Sequence, residues 1–285
     1  YGGGLYLSQA TSFSRSGPTR LDPPATSIDP QLFNTALTGN QASYGGGIYV
    51  GSDSLDARHC LISRNTSAYS RGGGVAFAQD CKLTNSIVTE NTGYGIWQEY
   101  ESTTALILNC LIDTNQDADY FLQSTGVMCI GANDINMQIG CAAMNRSGDP
   151  LLGELAAGQW STDPVYDPDL DQSVLEDTTA QWIPGEFRWN MLRAWTGYSL
   201  ESLILNNTET TIVVSGDVTG WVAAGSPYSI PDLHIQNGSA ALDRGEPSQE
   251  ILWDIDSDDR PGSDGLFDIG CDEAPSEWLP PDDTE

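Results

Sequence analysis

An all-β solenoid of parallel coils, a parallel β-helix, is the fold this sequence predicts, and three observations predict it. Asparagine recurs at positions 40, 65, 91 and 115, at intervals of 25, 26 and 24 residues. Asn65, Asn91 and Asn115 each close a short apolar run (60–65, 86–91 and 110–115), and glycines follow soon after most of these asparagines: Gly45, Gly46 and Gly47, then Gly72, Gly73 and Gly74, then Gly93 and Gly95. Apolar residues alternate in between, as in Ile48 and Val50 around Tyr49, Val75 and Phe77 around Ala76, and Leu106 and Leu108 around Ile107. Period two marks strands. A beat of about two dozen residues marks coils that cannot bury an apolar face alone and stack on copies of themselves.

Each recurring element has a physical reason. A side-chain amide both donates and accepts, so Asn40, Asn65, Asn91 and Asn115 suit a corner where every residue bonds its own copy on the next coil. The glycines supply positive φ or close backbone approach at the following corner. A helical solenoid is disfavoured, because it needs two long amphipathic stretches per repeat and this region offers Gly, Ser, Thr and Asn instead.

Along the chain, residues 1–153 read as coils, with a loop insertion at 7–33 that carries Pro18, Pro23, Pro24 and Pro30. Residues 1–6 match 44–49 in pattern, so the chain opens in mid-repeat and reads as a piece of something longer. Residues 154–232 change character: five tryptophans and the strand-like stretches 210–214, 221–225 and 228–230 predict an inserted small antiparallel β module near the C-terminus. Residues 233–285 form a closing segment with an acidic tail.

Charge and cysteines narrow the function. Residues 1–150 carry 13 acidic and 7 basic side chains, net −6, and the remainder carries 27 and 4, net −23. Such a surface repels nucleic acid and anionic lipid, so neither is expected as a partner. No stretch of eighteen apolar residues is present, which argues against a membrane-spanning helix in this segment. Cys60 and Cys110 share a slot five residues before their asparagines, with Ser86 between them. Cys129 and Cys141 flank a segment without strand alternation, and a local disulfide is expected there.

The stretches 238–245, 254–261 (Asp-Ile-Asp-Ser-Asp-Asp-Arg-Pro) and 267–273 (Phe-Asp-Ile-Gly-Cys-Asp-Glu) resemble the closing segment of secreted bacterial right-handed parallel β-helix proteins of the pectate-lyase-like superfamily. The Gly-Gly-Gly-Ile/Val coils are similar to repeats of polymorphic outer-membrane proteins. The resemblance implies a right-handed helix finished by that segment and an extracellular, bacterial cell-surface location. It is nearly silent on activity, because the scaffold serves lyases, hydrolases, adhesins and structural proteins alike.

Asp254, Asp256, Asp258 and Asp264 offer two readings, a Ca2+ site or a hydrogen-bonded acidic turn. The EF-hand template fails there, since Asp259 stands where glycine is required and Gly265 where glutamate is. No two acids share a slot on consecutive coils, no Gly-His-Gly occurs, and His59 and His234 read as lone structural or surface residues. The expectation is therefore a non-catalytic surface protein, structural, adhesive or fibre-forming, that self-associates or meets other surface proteins through coil ends and strand edges. The alternative is a carbohydrate-active protein, either a lyase or hydrolase or a polysaccharide binder using Trp160, Trp182, Trp189, Trp195 and Trp221.

Overall fold

The computed structural model describes residues 5–7, 30–51, 54–100, 105–121, 129–130, 148–197, 200–247 and 251–278, with backbone alone for 5–7, 118–121 and 129–130. Residues 8–29 of the expected insertion 7–33 and Cys141 lie outside these residues, as does the side chain of Cys129, so the expected Cys129–Cys141 bridge lies outside the described residues; the ends of that insertion, Leu7 and Gln31–Phe33, are strand rather than loop.

Three longer parallel sheets wrap the coils, and Gln41–Ala42 pairs in parallel with Thr66–Ser67 in a fourth, two-stranded one. The first stacks Leu5–Leu7, Ile48–Val50, Val75–Phe77, Tyr94–Gln98 and Ala118–Phe121. The second stacks Gln31–Phe33, Leu55–Arg58, Cys81–Thr84, Ala105–Leu108 and Cys129–Ile130, and the third Ala36–Thr38, Leu61–Ser63, Ile87–Thr89 and Leu111–Asp113. Every pairing is parallel and joins equivalent positions one repeat apart, as in Ile48 with Val75 and Ile96, or Leu61 with Ile87 and Leu111. Alternation points Ile48, Val50, Val75, Phe77 and Ile96 inward, where they meet Ala57, Leu83, Ile107, Ile62, Val88 and Ile112 in one core. In the second sheet the inward pair on its fourth strand is Ala105 and Ile107. Leu106 and Leu108 point out and are half-buried, so the alternation there runs one residue out of phase with the sequence reading.

The glycine corner is packed to backbone contact. A Cβ on Gly46 would stand 2.5 Å from the carbonyl oxygen of Gly73, and Gly46 N–H donates to Gly72 O at 3.0 Å. Side chains are excluded because successive coils touch there through their main chains.

The antiparallel module begins at Leu152–Gln159, which pairs with Pro227–Ile235. Between them lies a five-stranded sheet in the order Val165–Asp167, Gln172–Glu176, Thr211–Ser215, Ser202–Asn207 and Met191–Leu192. Residues 221–225, expected as a strand, form turns instead: Trp221 and Val222 N–H groups both donate to Val218 O. The module docks on the helix through Glu201, whose buried carboxylate accepts from Thr38 Oγ1 at 2.6 Å and lies 3.3 Å from Arg64 Nε. Gly39, at φ +63°, leaves the room that this side chain fills.

Residues 236–278 add no strand to the three helical sheets among the described residues. They lie along the outer face of the third sheet, where Ala241, Leu242, Ile269 and Cys271 cover Leu61, Ile87 and Leu111. The closing segment thus flanks the solenoid rather than finishing it. The cause is visible in the chain: Leu61–Ser63 and Ile87–Thr89 are buried on both faces, and a two-faced parallel strand reads as a continuous apolar run rather than an alternation.

Candidate functional site

Two hydrogen-bonded columns fix the coils on which any site must be built. At the first, Asn40, Asn65 and Asn91 each donate Nδ2–H to the Oδ1 of the next asparagine at 3.1, 3.1 and 2.9 Å, and their backbone N–H groups donate to the same oxygens at 3.0, 3.0 and 3.1 Å. The second column is Asn34, His59, Asn85 and Asn109, all at positive φ, on the same 25, 26 and 24 beat. Asn109 Nδ2 donates to Asn85 Oδ1 at 2.6 Å, Asn85 Nδ2 sits 3.0 Å from His59 Nε2, and Asn34 Nδ2 bonds Trp253 O. This column carries the closing segment: Asn85 also bonds both backbone groups of Glu246, and Asn109 bonds Arg244 O.

Arg260 is the buried cation of that seam. Its Nη1 lies 2.7 Å from His59 Nδ1, and its Nη2 donates to Gly270 O and Asp272 O at 3.0 and 2.9 Å. Burial, then the nearby guanidinium, hold the His59 imidazole down to about 3 from an ordinary 6.5. The unfolded chain therefore binds a proton that the fold refuses. The stability His59 contributes is full above pH 6.5 and is lost as pH falls toward 3, amounting to about 3 kcal/mol by pH 4 at about 1.4 kcal/mol per unit. Burial also pushes Asp268 up to about 6 and Glu273 up to about 7, and these carboxyls oppose the trend, favouring the fold below pH 4 and losing that contribution as pH rises to 6 or 7. Replacing His59 with the asparagine used elsewhere in its column isolates the effect. Urea titrations at pH 7 and pH 4 are expected to show the stability difference between His59→Asn and wild type moving toward the variant by about 3 kcal/mol on acidification.

The outward face of the first sheet carries an aromatic ledge. Tyr49 and Trp97 project from strands whose neighbours Ile48, Val50 and Ile96 are buried, and Ala76 sits between them in register, fully covered. Tyr44 and Tyr69 come from the preceding turns, their rings 5.5 Å apart, with Tyr49 6.4 Å from Tyr44. The Arg71 guanidinium lies 5.3 Å over Tyr44 and 5.6 Å over Trp97, and Tyr94 packs 5.2 Å from Trp97. Glu99 locks the centre, accepting from Arg71 Nη1 at 3.1 Å and from Trp97 Nε1 at 3.0 Å. Tyr69 is 65% exposed, and Tyr44, Tyr49, Arg71, Tyr94 and Trp97 are half-buried. The result is a strip of rings across three coils, tilted 48–59° to one another and roughly 10 Å long at one strand spacing per coil. A charge-balanced polar pair stands in its middle.

Residues 26–150 match the family described as the right handed beta helix region. No curated protein and no solved structure matches the chain. With the stacked parallel coils, this makes the solenoid a right-handed parallel β-helix, and the ledge lies within the matched stretch.

The five tryptophans of the module are differently placed. Trp160 is 2% exposed and stacks on Tyr228 at 4.1 Å, while Trp182, Trp195 and Trp221 pack partly buried against the module's core. Trp189 is open to solvent, with Arg188 4.6 Å over its ring. A cleft of about 690 Å³ runs past Gly158, Trp160, Asp177 and Trp182, but Asp177 already accepts from Thr179 and from the Tyr228 hydroxyl.

The aspartates of the acidic turn do not gather on one point. Asp254 spends its oxygens on the N–H groups of Asp256, Asp258 and Glu273, and Asp264 accepts from Leu266 N–H. Asp256 instead faces His234. Cys60, Cys81, Cys110 and Cys271 are buried thiols, with burial pushing the first three up to about 12 and Cys271 higher. Cys60 and Cys110 Sγ instead reach backbone carbonyls of their own coils and the preceding ones.

Proposed function

We propose that the chain is a non-catalytic adhesive scaffold of the extracellular, bacterial cell-surface kind, whose helix flank binds neutral polysaccharide. The ledge formed by Tyr44, Tyr69, Arg71, Tyr94 and Trp97 carries this reading. The exposed Tyr69 ring and the half-buried Tyr44, Tyr94 and Trp97 offer the C–H faces of sugars an apolar contact at little entropic cost, and a paired Arg71 and Glu99 offer donors and acceptors to hydroxyls. Arg71 is already compensated and the chain carries a net charge of −29, so polyanionic glycans are repelled and neutral ones favoured. A rigid solenoid keeps the rings in fixed register, which limits the ordering cost of binding.

Sedimentation with insoluble neutral polysaccharides tests the proposal. Wild type is expected to partition with at least one of cellulose, β-glucan or mannan, releasing neither reducing nor unsaturated ends. Tyr69→Ala and Trp97→Ala should each weaken binding about tenfold, the equivalent of about 1.4 kcal/mol per ring. Undiminished binding by the double variant, or sugar release by wild type, overturns it.

A further inference from the structure

We propose that His234, Asp256 and Asp272 form a site for a divalent transition metal of the Zn2+ class, with Asp232 orienting the histidine. Their ligand atoms all lie within 4.8 Å of one another, although the residues come from three separate stretches of chain: the strand Pro227–Ile235, the acidic turn and the closing segment. Asp232 Oδ1 engages His234 Nδ1, which fixes the ring and directs Nε2 outward to Asp256 Oδ2, 2.5 Å away. Asp272 is held in turn by the N–H of Ile235, which donates to its Oδ2 at 3.0 Å. A carboxylate on the rear nitrogen of an imidazole whose front nitrogen faces two more carboxylates is the arrangement that orients metal-ligating histidines and raises their basicity.

The choice of ion follows from the donors. One imidazole nitrogen with two carboxylates suits a borderline ion, whereas Ca2+ seeks six to eight oxygens and Mg2+ resists nitrogen and dehydration. Bonds of about 2.0–2.2 Å place tetrahedral ligands roughly 3.4 Å apart, so Nε2 and Asp256 Oδ2 separate by somewhat under 1 Å as the metal replaces the proton between them and releases it to water. Asp272 is 5% exposed, while His234 and Asp256 are about half exposed, which gives the ion a buried anchor and an open approach.

Charge around the site supplies a second, separate argument. Asp254, Asp268, Asp272 and Glu273 are all at most 9% exposed, and among the described residues of the closing segment only the buried Arg260 and, when protonated, the half-exposed His234 stand close against them. A divalent cation offsets that surplus and ties the module strand to the closing segment.

Tag-free, chelator-stripped protein dialysed against Zn2+ and assayed by atomic emission is expected to retain one ion per chain. Zn2+ should raise the unfolding temperature by several degrees, and Ca2+ at the same concentration should not. Asp232→Asn should weaken Zn2+ binding 10- to 100-fold. His234→Gln and Asp256→Asn should each abolish it, and Asp264→Asn should leave it unchanged. Asp256 is half exposed, so its variant folds even where the histidine change proves disruptive. Co2+ in place of Zn2+ gives a visible absorption band that must vanish in Asp256→Asn; His59, the only other histidine, is buried beside Arg260 and cannot substitute. Wild-type retention no greater than that of His234→Gln or Asp256→Asn overturns the site and leaves the cluster as ion pairs alone.

Discussion

Asn91→Ala is expected to cost about 3–5 kcal/mol. Asn91 is 1% exposed, and its amide makes four hydrogen bonds: Oδ1 accepts from the backbone and side-chain nitrogens of Asn65, and Nδ2 donates to Ile62 O and Asn115 Oδ1. Truncation strands these partners in a dry corner, where each unmet group costs about 1 kcal/mol or more. Asn91→Asp keeps the volume but turns an acceptor toward two acceptors, so it should be at least as damaging, which separates hydrogen bonding from cavity formation. Asn40, at the end of the described column and half-buried, should lose only about 1–2 kcal/mol as alanine. Urea midpoints at constant slope measure the series, and equal losses at Asn40 and Asn91 would show that the column does not act as a ladder.

Arg260→Met should cost a similar about 3–5 kcal/mol, and the loss should fall on one seam. The guanidinium is buried, and its removal leaves the carbonyls of Gly270 and Asp272 and the His59 ring without its N–H groups and the Glu273 carboxylate without its counter-charge. Arg260→Lys keeps the charge but not the fork, and should recover part of the loss. Hydrogen exchange is the discriminating measurement: faster exchange is expected in 236–278 and at Leu61, Ile87 and Leu111, with the first sheet unaffected. Uniform acceleration across all three sheets would mean that Arg260 supports the whole solenoid rather than the seam.

Periodicity made the solenoid legible and chemistry much less so. Asn65, Asn91 and Asn115 announced their column because one residue type repeats and ends an apolar run. The second column escaped notice because its slot holds Asn34, His59, Asn85 and Asn109: a single histidine hides the beat, and only the shared positive φ reveals it. His59 looked solitary in the sequence and is in fact one rung of that column, with Arg260 brought to it from 201 residues away.

The aromatic ledge left a signal that could have been read, since Tyr44, Tyr69 and Tyr94 are each 25 residues apart. Its polar centre, Arg71 with Glu99, depends on coils lying side by side and has no sequence signature. Tryptophan count drew attention to the module instead, where most of the rings fill a core because a small antiparallel unit has little other apolar volume to spend. The acidic turn left two readings open. Carboxylates spaced by two look like cation ligands, but a tight turn exposes many backbone N–H groups, and Asp254 satisfies three of them.

The four thiols buried among the described residues serve as built-in reporters of unfolding. Cys60 and Cys110 lie in the helical core, Cys81 opens a strand of the second sheet, and Cys271 closes the seam, each at most 6% exposed and held far from ionisation. An alkylating reagent can reach them only after the surrounding structure opens, so the order in which they are modified reports which part of the chain lets go first.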